Sequence, residues 1–217
     1  MQDLIPFLKN RLQYELPHSD IRKEGLSEKL LKILLEEEKN AKSRFAQKPP
    51  RICAVMVAFY CKDEEWFLPM MRRPDNIRAH PGQISFPGGR QEEVDEDLIA
   101  TAIRETEEEI GITVPKSNIL GNLTEIYIAP SNSLVTPIVA FLDDPPLYIP
   151  DEKEVAEVLD IRLTDLQNTA NIRAKKVVLT NGDYFNMPAY QAENNFIWGG
   201  TARMIAELLK LLKEKEG

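Results

Sequence analysis

Cysteine, histidine and long apolar runs are all scarce in this chain of 217 residues. The two cysteines, Cys53 and Cys61, flank a strand-like run over 54–60. If that run is extended, its ends lie about 26 Å apart, too far for a disulfide within it. Sparse, unpaired cysteine fits a reducing compartment. Two histidines, His18 and His80, are too few for a zinc hydrolase site. No Ser-His-Asp or Cys-His grouping is visible either. No stretch of ~18 apolar residues exists, so no membrane span is expected. The opening Met1-Gln2-Asp3-Leu4-Ile5-Pro6 lacks the basic and apolar regions of a signal peptide. The closing Glu-Lys-Glu-Gly is not a peroxisomal address, and cytoplasm is the expected location. Positive charge is also short: 27 Lys and Arg against 35 Asp and Glu give −8. That argues against non-specific nucleic-acid binding. An anionic substrate would have to be held by a metal ion and a few local arginines.

The 43% apolar content supports a true core, and the length suits one decorated domain. Residues 1–46 read as a helical extension with helices over 4–16 and 27–45, a candidate surface for homodimerisation. Lys48-Pro49-Pro50 separates it from a domain over 47–217. Strands are expected near 52–60, 65–71, 83–86, 119–128 and 134–142. Residues 155–163 read as a strand leading into a short helix through Gln167. Strands at 177–179 and 184–187 flank Asn181-Gly182, a hairpin turn signal. Residues 201–213 form an amphipathic closing helix. This mixture suggests an α/β fold, an α/β/α sandwich with a mixed β-sheet.

The segment from about 95 to 110 has helical spacing, with Ile99, Ile103, Thr106 and Ile110 on one face. Gly111 is a natural C-terminal stop. Glu105, Glu107, Glu108 and Glu109 crowd the last turns, the negative end of the helix dipole, where carboxylates are disfavoured. At about 100° per residue, Glu105 and Glu109 lie about 40° apart on one flank, with Glu108 about 60° beyond Glu105. Glu107 falls on the far side as a solvated spectator. Converging carboxylates are hard ligands suited to Mg²⁺ or Mn²⁺. Ile84 and Phe86 alternate with Gln83 and Ser85 as a strand would, and Pro87-Gly88-Gly89 is expected to break that strand and let backbone approach a ligand.

Gly89, Glu96, Arg104-Glu105, Glu108-Glu109 and Gly111-Ile112 resemble the Nudix box, here about 89–112. The glycine-to-Glu96 interval is one residue longer than the general pattern, and Thr106 stands at a usually hydrophobic position. The longer interval is similar to that of the coenzyme A-hydrolysing branch. Arg72, Arg78, Gly82 and Phe86-Pro87-Gly88-Gly89 resemble that branch's upstream motif, although its opening is altered to Leu68-Pro69-Met70-Met71-Arg72-Arg73. Ile197-Trp198-Gly199-Gly200-Thr201-Ala202 is also similar to the branch. The resemblance spans about 50–213 and implies a Nudix-like α/β/α sandwich that hydrolyses nucleoside diphosphate derivatives with divalent metal.

By that resemblance, Glu105, Glu108 and Glu109 are the metal ligands, with the Gly89 carbonyl a further one. Glu105 or Glu108 would take a proton from the attacking water. Arg104, pointing away from the metal edge, would pair structurally with Glu96. Arg72 and Arg78 would contact phosphate, with Gly82 and Gly88 shaping the substrate loop. Glu154 and Glu157 read as a strand edge that could supply a late acidic group. His80 reads as a hydrogen-bonded structural residue more than a catalyst. The substrate expected is coenzyme A or an acyl derivative, cut to 3′,5′-ADP and 4′-phosphopantetheine. ADP-ribose or NADH is the alternative within the class, and a non-catalytic nucleotide-sensing module the alternative outside it.

Overall fold

A computed structural model describes residues 3–17, 19, 21–22, 28, 31–32, 35–36, 39–40, 48–76, 80–178 and 184–215. The expected helix over 27–45, the Asn181-Gly182 turn, Arg78 and His18 lie wholly or largely outside these residues.

The core element is strand β1 (Arg51–Lys62), whose residues from Met56 to Tyr60 are all buried. A strand covered on both faces reads as a continuous apolar run, which is what this segment supplies. It pairs in parallel with β7 (Ser133–Phe141) and antiparallel with β2 (Glu65–Arg72) and β4 (Gly88–Arg90). β2 in turn carries β3 (Ile84–Ser85) and β8 (Glu157–Arg162), and β7 carries β5 (Ile119–Asn122) and β6 (Ile126–Ile128). One parallel pairing among antiparallel ones makes the eight-stranded sheet mixed. A separate antiparallel sheet holds β9 (Ile172–Val178), β10 (Tyr184–Ala192) and β11 (Asn195–Ile197).

Alternation along β1 sends its side chains to two cores. Val57 and Phe59 face one, with Leu68 and Met70 of β2. Ala54, Met56, Ala58 and Tyr60 face the other, with Met71. The first core is covered by helix α1 (Leu4–Arg11), α3 (Leu163–Gln167) and the closing helix α4 (Gly199–Lys213). Helix α2 (Leu98–Ile110) covers the second, through Ala102 and Ile110. This is the α/β/α sandwich expected. Leu4, Leu8 and Leu12 are buried in the same core as α4, and Arg11 Nε donates to Glu214 at 2.6 Å. The apolar side of α1 is thus used within the chain.

Three boundaries differ from expectation for local reasons. The strand expected over 119–128 is two strands. The break is held by buried Glu207 of α4, whose carboxylate accepts from Thr124 N at 2.9 Å and Thr124 Oγ1 at 2.6 Å. β3 breaks before Pro87-Gly88-Gly89 as expected, but one residue earlier, at Ser85, and the chain resumes pairing on β1 in place of β2, where β4 begins. Glu154 sits on a turn before β8, with its N–H bonded to Asp151 O at 3.0 Å, and not in a strand.

Candidate active site

Helix α2 starts where Asp97 caps it, its side chain accepting from Ala100 N at 2.7 Å. It ends at Gly111, whose φ of 74° gives the left-handed cap expected. Thr106 occupies the nominally hydrophobic position without penalty. It is fully buried, and its hydroxyl donates to Ala102 O at 2.6 Å.

The glycine loop meets this helix at its glutamates. Gly88 N–H donates to Glu109 Oε2 at 2.7 Å. Gly88 has φ of 148°, and any Cβ there would strike the Ala54 carbonyl and Val55 Cα. A Cβ on Gly89 would land on the Glu105 carboxylate. Both glycines therefore allow β4 to press between β1 and the glutamates.

Glu109 is only 3% exposed. Burial pushes its carboxyl up to about 8; the Gly88 N–H pulls down, Glu105 and Glu154 push up, and Arg73 pulls down. Burial also raises Glu105, against the lowering effect of Arg104. Glu108 is mostly exposed and bonded to Arg104 Nη1 at 2.9 Å. Glu107 lies apart from these three and accepts from Thr113 Oγ1 at 3.1 Å.

Arg73, not Arg72, faces this cluster, with Nη1 3.9 Å from Glu109 Oε1. Strand alternation explains the difference. Arg72 continues the Leu68, Met70 face, and it donates to Glu157 Oε2 at 3.0 Å and Asn195 Oδ1 at 2.5 Å. Arg73 follows Met71 onto the face of α2. Its Nε is buried with no hydrogen-bond partner among the described residues. Its backbone closes the loop base, with Arg73 N bonded to Gln83 O at 2.9 Å and Gly82 N to Arg73 O at 3.2 Å. Gly82 serves this turn: φ is 63°, and a Cβ would strike the Asp75 carboxylate. His80 is half-buried, and burial, then Arg73, lowers its pKa.

Glu154 is brought near by backbone bonds that tie its turn to the helix end. Asp151 N donates to Glu109 O at 2.9 Å and Ile149 N to Ile110 O at 3.0 Å. Glu157 is instead held by Arg72.

The expected Arg104–Glu96 pair is not formed. Arg104 Nε and Nη2 grip Asp95 Oδ1 and Oδ2, both at 2.9 Å. Glu96 is on the surface with Lys116 at 2.9 Å. Nor does Arg104 point away from the glutamates. Nη1 lies 3.0 Å from Glu105 Oε1 and 2.9 Å from Glu108 Oε2. An i,i+4 partner is within reach of a long arginine on a helix surface.

All donors here are hard oxygens, and the buried Glu109 carboxylate has little positive compensation beyond one N–H and a distant guanidinium. Such a set suits a divalent cation. Among the described residues, no three acidic, histidine or cysteine side chains converge as a ready cage, since Glu105 and Glu108 are turned onto Arg104. Among these residues no helix is long and apolar enough to cross a membrane.

Residues 50–180 match the family model of the NUDIX domain. A Yersinia pestis (strain Pestoides F) protein described as an uncharacterized Nudix hydrolase, NudL, is 34% identical over 160 residues, covering 73% of this chain and 78% of its own length. Two solved structures share the fold. The MutT protein of Methanosarcina mazei Go1 has a TM-score of 0.52 at 19% identity, over 79% of this chain and 99% of that one. The MutT/nudix family protein of Enterococcus faecalis has a TM-score of 0.52 at 15% identity, over 82% and 74%. With a glycine strand pressed onto a glutamate helix and these matches over most of its length, the chain belongs to the Nudix hydrolases, enzymes that act on pyrophosphate bonds and generally use divalent metal ions.

Proposed function

We propose that this enzyme cleaves the diphosphate of coenzyme A or an acyl derivative, using Mg²⁺ or Mn²⁺, to give 3′,5′-ADP and 4′-phosphopantetheine or its acyl form. The observation that carries the reading is the convergence of Gly88 N–H and the Arg73 guanidinium on buried Glu109, with Glu105 against Gly89. Glu105 and Glu109 would hold the metal, joined by Glu108 and the Gly89 carbonyl. Held there, a divalent metal would neutralise charge on the diphosphate oxygens and make water a better nucleophile. Glu105 or Glu108 would accept the proton of the attacking water on a carboxylate oxygen. Glu154 adds negative potential beside Glu105. Arg73 would offer its guanidinium, whose Nη1 faces the cluster, to a phosphate oxygen, a charge-assisted bond of the stronger kind. Arg78, whose place is outside the described residues, is assigned to the same anion by the motif resemblance alone. Support for the coenzyme A branch comes from the Gly82, Phe86–Gly89 and Ile197–Ala202 motifs together.

The test is a substrate panel. Purified protein is incubated with Mg²⁺ or Mn²⁺ and, separately, coenzyme A, ADP-ribose and NADH, and products are separated by anion exchange. Selective release of 3′,5′-ADP from coenzyme A is expected. Turnover of ADP-ribose or NADH with coenzyme A untouched would overturn the substrate while keeping the metal site. That outcome would fit the altered Leu68–Arg73 opening.

A further inference from the structure

Among the described residues, β4 pairs with β1 alone and leaves its outer rim to the glutamates. On that rim Gly88 N–H donates to Glu109 at 2.7 Å, and Arg90 O accepts from Arg104 Nη2 at 3.1 Å. The side-chain positions of β4 alternate between faces. A Cβ on Gly89 would land on the Glu105 carboxylate, whereas one on Gly88 would meet Val55, which packs against the first core. Arg90 therefore stands on the face of the first core, opposite Cys53 in the antiparallel register. Arg51, two residues before Cys53 on β1, shares that face. The two arginines are thus diagonal neighbours on paired strands, about 7–8 Å apart at the backbone.

Both are exposed, and among the described residues neither has a carboxylate partner. The half-buried Cys53 thiol lies within electrostatic range of both guanidinium groups and of Glu105. Burial, the largest cause, raises its pKa, so no thiolate offsets the arginines at neutral pH. Like charges on neighbouring strands repel, and this pair is left uncompensated in a chain whose net charge is −8. A local conflict of this kind is expected at a functional site, and a bound anion would relieve it.

We propose that Arg51 and Arg90 form the site for a phosphomonoester on the substrate, the 3′-phosphate that coenzyme A carries on its ribose. The inference deepens the substrate reading given under Proposed function and rests on it. Two planar forks match the oxygens of one terminal phosphate, a group close to doubly charged at neutral pH. With the diphosphate at the glutamates, the phosphate on the adjoining ribose passes the rim of β4 to reach Arg90 and Arg51. ADP-ribose and NADH have no phosphomonoester to place there, so the pair selects for coenzyme A. A site built to bind a charged group rejects the analogue that lacks it.

The experiment compares ligands that differ only in that phosphate, using wild type, Arg51→Gln and Arg90→Gln, with circular dichroism to confirm the fold. Isothermal titration measures binding of 3′,5′-ADP and of 5′-AMP, and steady-state kinetics with Mg²⁺ gives kcat/KM for coenzyme A and for dephospho-coenzyme A. Wild type should favour the phosphorylated member of each pair. Each variant should cut that preference about tenfold, the scale of one charge-assisted bond. Should one variant fail to fold, the other decides. A preference that both variants leave at its wild-type value, or a wild type with no preference, overturns the arginine site while leaving the metal site and the coenzyme A reading standing. Preferential binding of 3′,5′-ADP that falls in the variants, with coenzyme A not hydrolysed, supports the arginine pair as a phosphate site and overturns the substrate reading.

Discussion

Replacing Glu109 by glutamine should make the metal-free enzyme more stable at alkaline pH while destroying its activity. Glu109 lies almost wholly out of water, bonded to Gly88 N–H at 2.7 Å and facing Arg73 only at 3.9 Å. Its carboxyl is raised from 4.5 to about 8, burial being the largest cause. A rise of that size corresponds to about 5 kcal/mol, and relaxation and water penetration reduce it, leaving ~2 kcal/mol as a working expectation. The sign follows from proton linkage. The folded protein holds the Glu109 proton more tightly than the unfolded chain does. Its contribution is therefore fully present below pH 4.5 and is lost as pH rises through about 8. Glutamine keeps the acceptor for Gly88 N–H and never ionises. Urea unfolding of wild type and Glu109→Gln in EDTA, at pH 5 and pH 9, measures the difference. The variant should gain ~2 kcal/mol relative to wild type between these two conditions. A variant whose relative stability is the same at both pH values, or which falls at pH 9, refutes the burial argument.

Other perturbations address separate parts of the site. Gly89→Ala would place a methyl on the Glu105 carboxylate; turnover should drop by at least ~100-fold through misplacement alone, and wild-type kcat would show that the glycine is not needed for close approach. Arg73→Met should raise KM for coenzyme A about tenfold, the scale of one charge-assisted bond, whereas Arg72→Met should change KM less, because Arg72 is engaged by Glu157 and Asn195. Equal effects in steady-state kinetics would count against the strand-alternation argument. Asp97→Ala removes the cap on Ala100 N–H and should cost about 1 kcal/mol in urea unfolding, with no change at all counting against the cap.

Legibility from sequence followed the reach of each interaction. The α2 spacing, its Gly111 stop and the grouping of Glu105 and Glu109 on one flank depend on contacts within a few residues, and helical geometry conveys them. The strand order was less accessible. Gly121-Asn122 is the one local sign of the interruption in 119–128, and the group that stabilises it is Glu207, some eighty residues onward. Asp95 in place of Glu96 as the partner of Arg104 reflects the turn before α2: helix starts only at Leu98, so helical register does not extend back to residue 96. Arg73 was within reach. Counting alternation from the buried Leu68 and Met70 puts Arg72 with them and Arg73 on the face of α2, a signal that motif spacing alone passed over. Glu154 reaches the cluster through backbone bonds from 149 and 151 to the end of α2, which no periodicity records.

The most direct measurement is coenzyme A turnover by wild type and Glu109→Gln, followed by ³¹P NMR with Mg²⁺ and again with EDTA. The account predicts that wild type converts the diphosphate resonances to phosphomonoesters only with metal, and that the folded variant leaves them unchanged. Hydrolysis by Glu109→Gln at the wild-type rate, or by wild type in EDTA, would contradict a metal-dependent site built on this glutamate helix.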